Sequence, residues 1–279
     1  METIWDRKWD ELILVALNED IGSGDVTTLS TVPPDADASG VFLAKEAGVI
    51  CGLSICSRTF ALLDPRIRIK SRVQEGAWVE ANEVLAVIEG PSQGILMGER
   101  VSLNFLRHLS GIATQTRLAV QAVEGTKARI TDTRKTTPGL RSIEKYAVRT
   151  GGGTNHRFNL SDGILIKDNH IRAAGGIKQA VDRARKGGSH LLKIEVETET
   201  IEQIEEALEA GADVIMLDNM SLLQMAEAVR LIAGRAIVEA SGNMADQDLR
   251  AVAETGVDLI SIGALTHSVR ALDISLKFE

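Results

Sequence analysis

From residue 128 onward the chain repeats one pattern: a short apolar run, a polar loop, then a segment of helical length. The apolar runs are Ala128–Thr131, Ile164–Ile166, Leu191–Val196, Val214–Leu217, Ala236–Val238 and Leu259–Ile262. Helical segments are predicted over 200–209, 221–233 and 245–254. Strands separated by helices pair in parallel through strand–helix–strand units. Six such strands in roughly 140 residues predict a small or incomplete α/β barrel rather than a doubly wound sheet. No GxGxxG follows the first strand, so a dinucleotide-binding fold is not expected.

Chemistry collects at the ends of these strands. Arg134 and Lys135 follow the first, Lys167 the second, Glu197 the third and Asp218 the fourth. Ser241 with Gly242 follow the fifth, and Gly263 the sixth. In barrels the active site lies at the C-terminal ends of the strands. The stretch 131–170 adds His156, Arg157 and three glycines in a row, Gly151 to Gly153. Consecutive glycines are costly inside a helix or strand and mark a loop that bends tightly or approaches a ligand. From Arg100 to Lys186 there are seventeen Lys/Arg against six Asp/Glu, inside a chain of net charge −8. A local positive field in an acidic protein suits a small anion with several carboxylates or phosphates.

These residues and the loop cations divide into three groups. Arg134, Lys135, His156, Arg157 and Lys167 gather positive charge. Glu197 and Asp218 suit ribose hydroxyls, Mg2+ or a positive charge developing on a sugar ring. Ser241, Gly242 and Asn243, with Ile262, Gly263 and Ala264, present backbone N–H groups where helices are predicted to begin, which suits a phosphate.

Composition removes several classes. Aromatics are only 3% of 279 residues, so base stacking and a nucleic-acid partner are not expected. No run of 18 apolar residues exists, so no membrane span is predicted, and the N-terminal stretch lacks the apolar core of a signal peptide. Cys51 and Cys56 are too few for a disulfide framework and read as buried free thiols in a cytoplasmic protein. No His or Cys cluster has ligand spacing, so no resident metal site is predicted.

The N-terminal third reads differently. Trp5, Trp9, Leu12, Ile13, Ala16 and Leu17 are spaced as one face of a helix. DIGSGDVTT reads as a capping loop. Residues 40–90 alternate short strands and turns around a helix over 53–63, and 93–124 form one long helix or two. No lysine lies between Val73 and Pro91, which excludes a lipoyl or biotin carrier.

The strings DTRKTTPGLR, KYAVRTGGGTNHR and ILIKDNH resemble quinolinate phosphoribosyltransferases. The likeness extends through ERVSLNFLRHLSGIATQT, IEVE, IMLDN, EASGN and ISIGALTHS, nearly the whole chain. It implies an N-terminal α+β open-sandwich domain over 1–114, with 268–279 packing back on it. An incomplete α/β barrel of the type II phosphoribosyltransferase kind would follow over 115–267. It implies transfer of phosphoribosyl from phosphoribosyl pyrophosphate to quinolinate with decarboxylation, a step of NAD biosynthesis, with Mg2+ arriving on the pyrophosphate. The catalytic residues it implies are Lys135, Lys167, Glu197 and Asp218. Thr133, Arg134, His156 and Arg157 join them in binding substrate, together with Ser241, Gly242, Asn243, Ile262, Gly263 and Ala264. It also implies a homodimer in which Arg100 reaches the neighbouring subunit's site. Asn243 stands where many relatives carry glycine. A paralogous phosphoribosyltransferase acting on another base is the nearest rival. A non-catalytic sugar-phosphate sensor is the rival of another class, disfavoured because the acids and cations are all in place.

Overall fold

A computed structural model describes the backbone of residues 4–278 and the side chains of residues 9–278, so the Trp5 side chain lies outside the described residues. The chain opens with helix α1 (Ile4–Ile21), then α2 (Val26–Thr31), β1 (Asp37–Ala44), β2 (Gly48–Val49), α3 (Leu53–Leu63), β3 (Arg68–Ser71), β4 (Trp78–Val79), β5 (Val84–Pro91) and α4 (Ser92–Ala122). It continues through β6 (Arg129–Thr131), α5 (Arg141–Thr150), β7 (Ile164–Ile166), α6 (Asp168–Ala174), α7 (Ile177–Gly187), β8 (Ile194–Thr198), α8 (Ile201–Glu209) and β9 (Val214–Asp218). It ends with α9 (Leu222–Ile232), β10 (Ile237–Ser241), α10 (Leu249–Glu254), β11 (Leu259–Ser261), α11 (Ala264–His267) and β12 (Ile274–Phe278). Two compact units result. One holds the chain through Gln115 with 138–151 and 269–279; the other holds 116–137 and 152–268.

The first unit is built on an antiparallel sheet of order β12-β1-β5-β3, beside a two-stranded ribbon of β2 and β4. Its core joins Phe42, Leu85 and Ile88 to Phe60 of α3 and Leu106 of α4. The Phe42 and Phe60 rings meet edge to face with centroids 6.4 Å apart. Residues 92–122 form one helix rather than two. Gly111 on that helix lets the C-terminal segment pass, since a Cβ there would stand 3.1 Å from Ala271 Cα. Leu272 N–H donates to Arg107 O at 3.0 Å, leading the chain into β12 alongside β1. DIGSGDVTT caps α2 as expected: the Asp25 carboxylate accepts from Thr28 N–H at 3.0 Å. The hydrogen bonds from Thr28 hold the Asp25 carboxyl below the usual range.

Helix α5 departs from the sequence-based expectation, which places 138–151 in the barrel segment. Its apolar face of Ile143, Ala147 and Val148 is buried with Ile13 and Leu17 of α1 and with Val101, Phe105 and Leu109 of α4. A helix that lies between two barrel strands in sequence need not cover the barrel; here its apolar stripe packs into the core of the first unit. His108 of α4 sits 2.9 Å from the fully buried Glu144 of α5. Cys51 and Cys56 are free and buried. Burial pushes the Cys56 thiol up to about 12 and Cys51 higher still. No helix among the described residues is long and apolar enough to cross a membrane.

The second unit is a six-stranded sheet of order β6-β11-β10-β9-β8-β7, parallel at every pairing. β6 and β7 are its two edges, so the barrel is incomplete as expected. Residue alternation sorts the two faces. Ile130, Ile194, Val196, Ile215, Leu217, Val238, Ala240 and Ile260 pack with Ile204, Ala207, Met225, Ala228 and Val252 of the covering helices. The intervening positions, Glu195, Glu197, Met216, Asp218, Glu239, Ser241 and Ser261, fall on the opposite face. That face is unusually polar for a barrel interior, and it is where the cavity opens.

Candidate active site

A cavity of about 870 Å³ sits in the second unit, lined by the loops after β6, β10 and β11 and by the ends of β7, β8 and β9. That volume suits small-molecule ligands. It gathers Thr133, Arg134, Lys135, His156, Arg157, Lys167, Glu197, Asp218, Ser241, Gly242, Asn243, Gly263 and Ala264. Two of the expected residues are not in its lining. Ile262 is 3% exposed and packs into the apolar core, as an aliphatic side chain one residue past β11 will. Arg100 is exposed on α4.

Local hydrogen bonds place each group. Thr133 Oγ1 accepts from Lys135 N–H at 3.0 Å, and Lys135 O accepts from Thr266 Oγ1 at 2.9 Å. The latter ties the loop after β6 to α11. The chain before β7 runs beside β6: Thr154 N–H donates to Ile130 O at 2.8 Å and His156 N–H donates to Asp132 Oδ1 at 2.8 Å. His156 and Arg157 therefore come from this side loop, not from a strand end. Arg157 Nη1 donates to Gly163 O at 2.8 Å, while its Nε is buried with no hydrogen-bond partner among the described residues. Burial first, then the Arg134 guanidinium, lower the Arg157 pKa, and Glu195 opposes them. Two guanidinium groups held near each other make a seat for an anion.

Across the cavity, Lys167 Nζ forms an ion pair with Glu197 Oε2. Asp218 accepts from Asn219 Nδ2 at 2.8 Å. By sequence alone Lys167 and Glu197 take separate roles; in the folded chain each holds the other. The loop after β10 turns through left-handed backbone at Gly242 (φ 95°) and Asn243 (φ 48°). The helices expected there are short: Met244–Asp246 is a single 3-10 turn, α10 starts only at Leu249, and α11 has four residues. Their dipoles are correspondingly small, so an anion here depends on backbone N–H groups and side chains. The Lys135 side chain passes over Gly263, with Cδ 3.1 Å from where a Cβ would sit, and His267 lies equally close.

His156 is the clearest correction at the level of single residues. From the sequence it belongs with the positive charges. Its Nδ1 accepts from Arg157 N–H at 2.8 Å, and its Nε2 lies 3.2 Å from Glu195 Oε2. A ring that accepts at Nδ1 is neutral and carries its hydrogen on Nε2. Sequence reasoning also passes over Glu195, Glu239, Ser261, Asn219 and His267. The signal for the two acids lies in the strings IEVE and VEAS, where a charge stands inside an apolar strand at an inward position.

Comparison with known proteins places this geometry. The N-terminal domain of quinolinate phosphoribosyl transferase matches residues 25–110, and the C-terminal domain matches residues 112–277. The chain belongs to the quinolinate phosphoribosyltransferase family. It is 47% identical over 258 residues to a Bacillus subtilis protein named probable nicotinate-nucleotide pyrophosphorylase (carboxylating), covering 92% of this chain and 89% of that one. A Synechocystis protein of the same name is 45% identical over 276 residues, covering 98% and 91%. The solved structure of the nicotinate-nucleotide pyrophosphorylase from Francisella tularensis superposes with a TM-score of 0.94 at 39% identity, over 98% of this chain and 96% of that one. Family membership thus covers both the antiparallel unit and the incomplete barrel with its cavity.

Proposed function

We propose that this enzyme transfers phosphoribosyl from phosphoribosyl pyrophosphate to quinolinate with loss of CO2, giving nicotinate mononucleotide and pyrophosphate. The observation that carries the reading is the Arg134–Arg157 pair, with the Arg157 Nε buried and, among the described residues, unpartnered in a cavity that also holds strand-end acids. Quinolinate is a pyridine with two adjacent carboxylates, and two neighbouring guanidinium groups match it. Lys167, steadied by Glu197, adds a third cation. The sugar phosphate takes the opposite end, against the Ser241–Asn243 and Gly263–Ala264 backbones with Lys135 overhead. Mg2+ enters with the pyrophosphate as part of that substrate. The ring nitrogen attacks the anomeric carbon as pyrophosphate leaves, and Asp218 and Glu197 face the positive charge that grows on the sugar. The ring is now a cation. The C2–carboxylate bond breaks, CO2 departs, and the electron pair left on C2 is stabilised by the adjacent nitrogen until C2 takes a proton.

The test uses quinolinate labelled in its 2-carboxylate. Purified enzyme with phosphoribosyl pyrophosphate and Mg2+ is expected to release labelled CO2 and pyrophosphate in equal amounts, and nicotinate is expected to be ignored. Ribosylation of nicotinate or another base with no CO2 from quinolinate defeats the reading.

We also read the enzyme as a cytoplasmic homodimer in which Arg100 serves a neighbouring subunit's cavity. Its exposure on α4 supports this. Mixing Arg100→Ala with Lys167→Ala protein should then restore about a quarter of normal activity, from the one composite site in each mixed dimer. Activity no higher than the two inactive parents would mean that each chain completes its own site.

A further inference from the structure

His156, Glu195 and Glu239 form a buried group under the cavity, and the reaction above gives the two acids no part. Glu239 is 1% exposed and Glu195 7%. His156 Nε2 lies 3.2 Å from Glu195 Oε2 and 3.8 Å from Glu239 Oε1. Because Nδ1 already accepts from Arg157 N–H, the ring has a single hydrogen to give, and Glu195 Oε2 is its nearer acceptor. Two carboxylate oxygens are left over. Glu195 Oε1 and Glu239 Oε1 are buried, and neither has a donor among the described residues. Two ionised carboxylates packed together repel; one hydrogen placed between them satisfies both oxygens.

We propose that Glu239 enters the reaction as a neutral carboxylic acid hydrogen-bonded to Glu195, and that binding of the dianionic substrate completes its protonation. This rests on the quinolinate reading and deepens it. Glu239 acts here as a positioning residue. Its proton lets the Glu195–His156 contact stand without a second buried charge, and that contact holds the ring against the Arg157 backbone. Burial, followed by the charge of Glu195, raises the Glu239 carboxyl to about 7, against the hydrogen bond from the Ser261 hydroxyl.

Charge shows why the proton matters. The cavity is lined by Arg134, Lys135, Arg157 and Lys167 and by Glu197, Asp218, Glu239 and Asp246, four cations against four acids. With every acid ionised the formal sum is 4 − 4 = 0, a poor receiver for a dianion. A proton on Glu239 makes it +1. Glu195 from β8, His156 ahead of β7 and Ser261 from β11 act on Glu239 directly, and Glu197 from β8, Asp218 from β9, Arg157 ahead of β7 and Arg134 after β6 line the same cavity. A dianion set among them adds negative potential and draws the proton on more tightly. Above pH 7 Glu239 ionises, the excess positive charge is lost and substrate binding weakens.

The same three groups bring ligand atoms within 4.8 Å of one another, which invites a divalent cation instead. The Arg157 N–H speaks against it. A histidine that ligates through Nε2 donates its Nδ1 hydrogen to an acceptor, and here Nδ1 faces a donor.

The experiment is calorimetry of quinolinate binding to the intact enzyme at pH 7.5, in phosphate and in Tris, whose ionisation heats differ. The expected result is a buffer-dependent heat equal to uptake of about half to three-quarters of a proton per site. Steady-state kinetics supply the second readout. Quinolinate KM should rise several-fold from pH 7 to 8.5 in the wild type. Glu239→Ala should raise it about tenfold at pH 7. Glu239→Gln, shaped like the neutral acid, should recover most of that loss and abolish the pH-dependent rise. Buffer-independent heat in the wild type overturns the inference even if the variants do not fold. So does a stoichiometric divalent ion that is retained by the wild type and lost from Glu239→Gln. If quinolinate binds and turns over without proton uptake, only this inference fails; if it is not a substrate at all, the functional reading fails with it.

Discussion

Arg157→Ala lowers kcat/KM for quinolinate by about two to three orders of magnitude, mostly through KM. The guanidinium is half-buried and, among the described residues, gives only one hydrogen bond, from Nη1 to Gly163 O, while its Nε has none. Its remaining donors are therefore available to substrate. Truncating one side of a desolvated, charge-assisted pair costs roughly 3–4 kcal/mol, and each 1.4 kcal/mol is a factor of ten. The fold is spared, because the substitution also removes a repulsion from Arg134. Arg157→Lys recovers little, since an ammonium cannot present the planar fork that a carboxylate takes. Kinetics with varied quinolinate at saturating phosphoribosyl pyrophosphate, beside a thermal melt, decide it. A loss below tenfold, or a melt shifted as far as the activity, would mean that Arg157 does not hold a substrate carboxylate.

Gly242→Ala costs about 2–4 kcal/mol of stability and raises KM for phosphoribosyl pyrophosphate at least about tenfold. Two effects add. The backbone at Gly242 is left-handed, with φ of 95°, which a residue with a Cβ adopts only under strain. The new Cβ would also sit 2.7 Å from the Asn219 backbone nitrogen, and a backbone atom cannot swing aside as a side chain can. That nitrogen donates to Ser241 O at 3.0 Å, so the loops after β9 and β10 must move together. Gly234→Ala is the control. It has φ of 76° but nothing within 4 Å of the added carbon, so it should cost about 1 kcal/mol and leave both KM values alone. Urea denaturation and substrate kinetics on the two variants separate backbone strain from collision; equal behaviour would show that crowding against Asn219 contributes nothing.

Much of the barrel is legible in the sequence because hydrophobic alternation leaves a direct trace. Five of the six apolar runs lie on strands to within a residue or two at their starts, and the chemistry at their ends does converge on one cavity. The discrepancies have a common cause. The apolar run Ala236–Val238 ends before Glu239, yet β10 continues to Ser241. The run Leu191–Val196 starts three residues before β8, although Leu191 is 81% exposed, and it ends short of Glu197. A reading by apolar runs places strand ends poorly where charges interrupt them. Here the charges point into the barrel interior and belong to the strands. For the same reason the Glu195–Glu239 contact is out of sight in the sequence, since two glutamates 44 positions apart meet only once the sheet order is known. Helix α5 is misplaced because an amphipathic stripe tells that a core is covered, not which one.

Strand β12 carries a lesson for biosynthesis. The sheet of the first unit takes its edge strand from Ile274–Phe278, the last residues described. A nascent chain leaving the ribosome therefore cannot finish that sheet until residues 274–278 have emerged, more than two hundred residues after β1. Until then β1 offers an open hydrogen-bonding edge. Truncation ahead of Ile274 should thus be felt first as poor yield and aggregation of the N-terminal half.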